Sequence, residues 1–123
     1  MSYGIGKYYL LNNRLLSTDD LDMDHVAGGF SVYEIVRVKD SIAIFLEDHL
    51  NRLYHSLELE NLGIKESNKE MREQLERLIV SNSISSGKIK FVVNFYCYPR
   101  ARDYDLWLYF DRYDPPAADQ YKN

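Results

Sequence analysis

Cysteine is nearly absent from this chain. Cys97 is its one cysteine, so no internal disulfide can form, and its place in an apolar strand pattern points to a reducing compartment. Long hydrophobic runs are also missing. Nothing approaches the roughly 20 apolar residues of a membrane-crossing helix, and the opening MSYGIGKYYL lacks the apolar centre of a secretion signal. Lys and Arg number 15 against 19 Asp and Glu, interspersed, for a net charge of -4, which excludes the electrostatic footprint of a nucleic-acid binder. No Gly-rich phosphate loop, no Cys/His group at metal spacing and no Ser-His-Asp arrangement that a sequence can expose is present. His25, His49 and His55 stand isolated and suit surface or supporting roles. The expectation is a soluble, cytoplasmic protein without metal, nucleic-acid or membrane partners.

What is there is organised around the stretch from Ala27 to Ile64. Val32 to Val38 alternates, with Val32, Glu34, Val36 and Val38 on one side and Tyr33, Ile35 and Arg37 on the other; its β-branched content predicts a half-buried strand. Lys39-Asp40-Ser41 predicts a tight turn, Ile42 to Phe45 an antiparallel return, and at Leu46 the period becomes helical. At about 100° per residue, Leu46, Leu50, Leu53 and Leu57 fall in one buried stripe. His49, Arg52 and Ser56 form a second stripe at its margin, able to look into a cleft. Gly63 is placed to end the helix in a left-handed conformation.

Before this stretch, Lys7 to Leu11 and Arg14 to Leu16 flank Asn12-Asn13, whose tolerance of positive φ predicts a first hairpin. Ser17 to His25 is polar and acidic, a surface connection. After it, Ser67 and Glu70 mark a capping box, and Met71, Leu75, Leu78 and Ile79 give a second helix its apolar stripe before Ser81 to Gly87 breaks it. Lys88 to Tyr98 alternates as a long strand, with Ile89, Phe91, Val93, Phe95 and Cys97 against Lys90, Val92, Asn94, Tyr96 and Tyr98. Pro99 to Tyr104 is a polar loop and Asp105 to Asp111 the hairpin partner. The fold class expected is α+β: an antiparallel sheet of about six strands built from three hairpins, with both helices on one face. Two helices cannot cover both faces of such a sheet, and aromatic residues crowd into the last hairpin. Part of that aromatic surface is expected to meet a second domain or subunit.

The succession SVYEIVRV, short turn, FLEDHLNRLYHSLELENLGI resembles the N-terminal domain of the fold-type IV pyridoxal-phosphate enzymes. This class IV family includes D-amino-acid and branched-chain aminotransferases and aminodeoxychorismate lyases. Its V-[FY]-E strand is matched by Val32-Tyr33-Glu34 and its [DE]-H-[LI]-x-R-L helix by Asp48-His49-Leu50-Asn51-Arg52-Leu53, and the similarity runs from the hairpin at Asn12 to Pro115. Where the family carries Asp-Arg-Gly and Gly-Asp-Gly steps before the strand, this chain has MDHVAGGFS, without the arginine. The resemblance implies the same α+β arrangement. It also implies that Arg52 binds the phosphate of pyridoxal 5'-phosphate, that Tyr33 and Ile35 line the substrate wall, and that Glu34 and His49 support them. In the D-amino-acid branch a similar loop carries Pro-Arg-Ala and then histidine, whose basic residues reach across a dimer interface to the substrate carboxylate. Arg100 matches that arginine and Arg102 replaces the histidine.

Each of these residues also has a plain alternative. Asp48 precedes Arg52 by four positions, the spacing of an ordinary exposed helix ion pair. In favour of the phosphate role, a planar guanidinium holds two oxygens at once, which an ammonium cannot. Tyr33 by itself is a strand aromatic facing a sheet partner, and Arg100 and Arg102 are arginines of a solvated loop.

The family tethers its cofactor as a Schiff base on a lysine of a C-terminal domain. None of Lys7, Lys39, Lys65, Lys69, Lys88, Lys90 and Lys122 matches that anchor. The expected organisation is an N-terminal domain over 1–114, the start of an interdomain linker over 115–123 at Pro115-Pro116, and an absent C-terminal domain. No catalytic residue then lies in this chain, which is inactive alone. The expected whole is a homodimeric aminotransferase or lyase acting on amino acids and 2-oxo acids. The alternative is a non-catalytic interaction or dimerisation module that keeps the fold.

Overall fold

Asn12 and Asn13 take φ of 52° and 67°, the paired positive values that let a two-residue loop follow strand twist. They close β1 (Tyr8–Leu11) on β2 (Arg14–Ser17). The computed structural model describes residues 6–21, 30–95 and 103–113. A 3-10 turn (Thr18–Asp20) follows, then β3 (Phe30–Lys39), β4 (Ile42–Ala43), α1 (Leu46–Leu59), α2 (Asn68–Asn82), β5 (Gly87–Phe95) and β6 (Asp105–Tyr113). All six strands join one antiparallel sheet in the order β2-β1-β6-β5-β3-β4. The three expected hairpins and the α+β class are borne out.

Both helices bury their leucine-rich stripes on one face of this sheet. Leu46, Leu50, Leu53 and Leu57 of α1 and Met71, Leu75, Leu78 and Ile79 of α2 form one cluster with inward residues of the strands, among them Val36, Ile89, Phe91 and Leu108. Burial of each such side chain contributes about 1.5–3 kcal/mol. The opposite face carries a smaller and different cluster of Tyr9, Val92, Trp107 and Tyr109, with the Tyr9 and Trp107 rings stacked at 5.9 Å. The aromatics of the last hairpin are thus divided: Phe91, Phe95 and Phe110 belong to the helix-covered core, Trp107 and Tyr109 to the other face.

Local details differ from expectation in three places. The return strand stops at Ala43 rather than reaching Phe45, because Phe45 turns to φ 56° at the N-cap of α1, and a left-handed residue cannot continue a ladder. The left-handed C-cap falls on Asn61 (φ 57°), not on Gly63. Asn61 N–H donates to the Glu58 carbonyl and Leu62 N–H to the Leu57 carbonyl, both at 2.9 Å, the two bonds of a Schellman motif. Leu62 lies in the core with Leu57, and that apolar contact sets the left-handed position one residue before it. The Ser17–His25 connection is not all surface: Thr18 is buried and its hydroxyl donates to the Gly6 carbonyl at 2.8 Å. Tyr96 to Arg102, His25 and the Pro115-Pro116 step lie outside the described residues.

Candidate functional site

Alternation along β3 sends Glu34 to the helix-covered face and its neighbours Tyr33 and Ile35 to the other. In the pairing with β5, Glu34 lies opposite Phe91, Tyr33 opposite Val92 and Ile35 opposite Lys90. A carboxylate held among apolar side chains must find hydrogen bonds or lose its charge. α1 supplies them from one helical turn. Arg52 Nε and Nη2 donate to Glu34 Oε2 and Oε1, both at 3.0 Å, and His49 Nδ1 lies 2.8 Å from Oε1. Arg52 therefore reaches across to the strand instead of pairing with Asp48 on its own helix. Burial pushes the Glu34 pKa up, but the hydrogen bonds from Arg52 and then His49 outweigh it and hold the carboxyl below its ordinary value. The same hydrogen bond raises Arg52 above its ordinary value.

The two charges are not equally sheltered. Glu34 is 11% exposed and Arg52 66%, so the carboxylate is a fixed anchor and the guanidinium its outward-facing end. Glu34 engages the side edge of the guanidinium, Nε with Nη2. Nη2 also lies 3.4 Å from His49 Nδ1, so Nη1 is the guanidinium nitrogen that takes part in none of these contacts.

On the other face Tyr33 and Ile35 are 54% and 37% exposed, and the Lys90 ammonium stands 4.3 Å from the centre of the Tyr33 ring. The residues singled out from sequence thus fall into two sets, Glu34, His49 and Arg52 on one side of β3 and Tyr33 and Ile35 on the other. They meet at an edge. β4 pairs with β3 only at Val38 and Lys39, so among the described residues the outer edge of β3 from Phe30 to Ile35 has no neighbouring strand. Two surface concavities, of about 1090 Å³ beside Gln74 and Arg77 and about 500 Å³ beside Ile79 and Val80, are lined by neither set. Arg100 and Arg102 lie outside the described residues.

A family model for amino-transferase class IV matches residues 31–123. This chain belongs to the class IV aminotransferase family. The matched residues include Tyr33, Glu34, Ile35, His49 and Arg52. A D-alanine aminotransferase of Listeria monocytogenes is 34% identical over 84 residues, which are 65% of this chain and 29% of that protein. Among solved structures, the Escherichia coli branched-chain amino acid aminotransferase superposes with a TM-score of 0.72 at 20% identity, over 85% of this chain and 41% of that one. The T.th. branched-chain amino acid aminotransferase, solved with pyridoxamine 5'-phosphate, gives 0.74 at 13% identity, over 94% and 42%. At such identities the structural likeness establishes the fold. The chain spans about a third of the length of the curated relatives it matches.

Two features of this class IV domain were not legible as a site in the sequence. Lys90 could be placed on one side of its strand by alternation, but only the register of β3 with β5 sets it beside Tyr33. The hold of Glu34 on Arg52 joins residues 18 positions apart, a contact that helix periodicity does not see. Among the described residues, no group of three or more His, Cys, Asp and Glu could hold a metal ion, and no helix is long and apolar enough to cross a membrane.

Proposed function

We propose that this chain is the N-terminal part of a pyridoxal-phosphate-dependent aminotransferase acting on amino acids and 2-oxo acids. The observation that carries the reading is the exposed guanidinium of Arg52, held from behind by Glu34. A phosphate takes two coplanar N–H donors, and a guanidinium whose other edge is clamped by a buried carboxylate presents them in a fixed plane. Glu34 also cancels most of the charge on Arg52, so recognition rests on directed hydrogen bonds more than on net charge. His49 braces the same carboxylate.

Across the β3 edge, Tyr33 and Ile35 form the substrate wall, and Arg100 with Arg102 takes the substrate carboxylate. Pyridoxal phosphate, when bound, supplies the electron sink for chemistry at the substrate α-carbon. This chain's residues hold the phosphate, orient the ring against the wall and keep water from it. The lysine that tethers the cofactor belongs to a C-terminal domain, and the assembly is a cytoplasmic homodimer.

Titration with pyridoxamine 5'-phosphate and with pyridoxamine tests the reading, because the two ligands differ only in the phosphate. The phosphate ester is expected to bind more tightly, and Arg52→Ala to weaken it tenfold or more while leaving pyridoxamine unchanged. Equal binding of the ester by Arg52→Ala and the parent protein rejects the phosphate role and favours a non-catalytic module on the same fold.

A further inference from the structure

We infer that the concavity of about 1090 Å³ beside α2 is a binding site for an aliphatic polyammonium compound, independent of the cofactor reading above. That volume is of the size small molecules occupy. Glu70, Glu73, Gln74 and Arg77 reach it from one face of α2, at helical spacing. The segment before the helix adds Lys65 and Glu66, and the residues entering β6 add Asp103 and Tyr104.

Carboxylates outnumber cations in this lining. Glu66, Glu70, Glu73 and Asp103 share it with Lys65 and Arg77, and among the described residues none of the four acids forms an ion pair. The Arg77 guanidinium is turned to the β1–β2 loop, where Nη1 donates to the Asn13 carbonyl at 2.8 Å and to its Oδ1 at 3.2 Å. Arg72 lies 3.5 Å from Glu47 of α1. Asp105, which accepts from the Asn12 amide at 3.0 Å, adds to the negative side. Tyr54 and Tyr104 register that field: both hydroxyls are pushed up, first by burial and then by Glu66, with Glu70 adding, Tyr104 to about 12. Tyr104 thus stays a phenol and donates to Glu66 Oε1 at 2.6 Å, fixing one carboxylate of the lining. Glu66 and Glu70 each use one oxygen inside the fold, and the other of each is left for a ligand.

A second observation, independent of the acids, comes from Gln74. It is the buried member of the lining, 5% exposed, and its Oε1 has no hydrogen-bond partner among the described residues. An unpaired buried amide oxygen destabilises the free protein, and a donor from a ligand relieves it. The terminal torsion of a glutamine is broad enough to turn the oxygen toward the concavity. An ammonium carries three N–H donors and no acceptor, enough for this oxygen and two carboxylate oxygens. A single metal ion does not suit the arrangement, because among the described residues no three His, Cys, Asp or Glu side chains could hold one. Carboxylates spread over a concavity match a flexible chain with ammonium groups spaced along it.

An NMR titration of the 123-residue chain with spermidine at fixed ionic strength tests this, with magnesium chloride and n-butylamine as comparators. Spermidine is expected to shift the amides of Glu73, Gln74 and Tyr104 saturably and to bind at least tenfold more tightly than either comparator. Gln74→Met is expected to weaken spermidine tenfold or more without lowering Tm, since it removes the unpaired oxygen. Glu73 is exposed, so Glu73→Gln reports on binding even if Gln74→Met does not fold; a fivefold loss is expected. Glu47→Gln, outside the concavity, is expected to stay within twofold. Equal shifts from spermidine and magnesium would mean diffuse screening and overturn the inference. So would equal affinity for n-butylamine, undiminished binding by Glu73→Gln or by folded Gln74→Met, or as large a loss in Glu47→Gln. None of these readouts involves pyridoxamine 5'-phosphate or turnover, so the site and the cofactor reading fail separately.

Discussion

Consecutive residues of β3 live in opposite chemistries. Glu34, facing the helices, has its charge consumed inside the molecule by Arg52 and His49. Tyr33 and Ile35, one step to either side, face outward, with the Lys90 ammonium 4.3 Å from the Tyr33 ring centre. The helix-covered face uses polar groups to orient one another, while on the open face the Lys90 ammonium rests on an aromatic ring. The distribution of charge follows the same division: the net charge is -4, yet the face opposite the helices carries Arg37, Lys88 and Lys90 in adjoining register positions.

The largest expected effect sharpens that contrast on the covered side. Leu53 is fully buried in the core between α1 and the sheet, so Leu53→Ala removes apolar contacts and leaves a cavity. A loss of about 2–5 kcal/mol is expected, read from urea denaturation of variant and parent. A loss below about 1 kcal/mol would mean that α1 does not hold the sheet as tightly as its burial indicates.

Glu34→Gln comes next, at about 1 kcal/mol near neutral pH, because a charge-assisted pair is lost but one partner is largely exposed. The pH dependence has a definite sign. The folded-state pKa of Glu34 lies below its ordinary value, so its contribution is present above the usual glutamate pKa of about 4.3 and is lost as pH falls through the folded-state value. The stabilities of parent and variant should therefore converge in acid. A gap that stays constant from neutral pH down to about pH 3 would show that the carboxylate charge itself contributes nothing.

Much of the covered face was legible because its signals are local. The leucines of α1 recur at helical spacing and all four are buried. The Ser67–Glu70 capping box forms both bonds, at 3.2 and 2.9 Å. What escaped depends on partners distant in sequence. Helix counting finds Asp48 for Arg52, whereas the stronger bidentate partner is on β3. Glycine preference finds Gly63 for the end of α1, whereas the fit of Leu62 onto Leu57 places the left-handed residue at Asn61. Phe45 in a left-handed conformation has no local signature, since only the junction of a two-residue strand with a helix imposes it. The candidate site divides in the same way. Its residue types were readable from two short motifs and alternation set Tyr33 and Ile35 opposite Glu34, but that the two sets flank a strand edge without a neighbour among the described residues followed only from the sheet order.

Tyr33→Ala is the smallest perturbation of stability and the sharpest probe of the open face. The side chain is more than half exposed, so its removal forfeits the contact with Lys90 and some cover over its cross-strand neighbour Val92. Those terms together come to about 0.5–1 kcal/mol, several-fold less than the loss at Leu53. Denaturation of the two variants under the same conditions measures the ratio directly. If Tyr33→Ala were as costly as Leu53→Ala, the ring would have to be packed against something in the folded protein, and the open face would be an interior surface. If the cost is small while binding of an amino-acid ligand is impaired, Tyr33 acts through the ligand and not through the fold, the distinction that separates a substrate wall from a sheet aromatic.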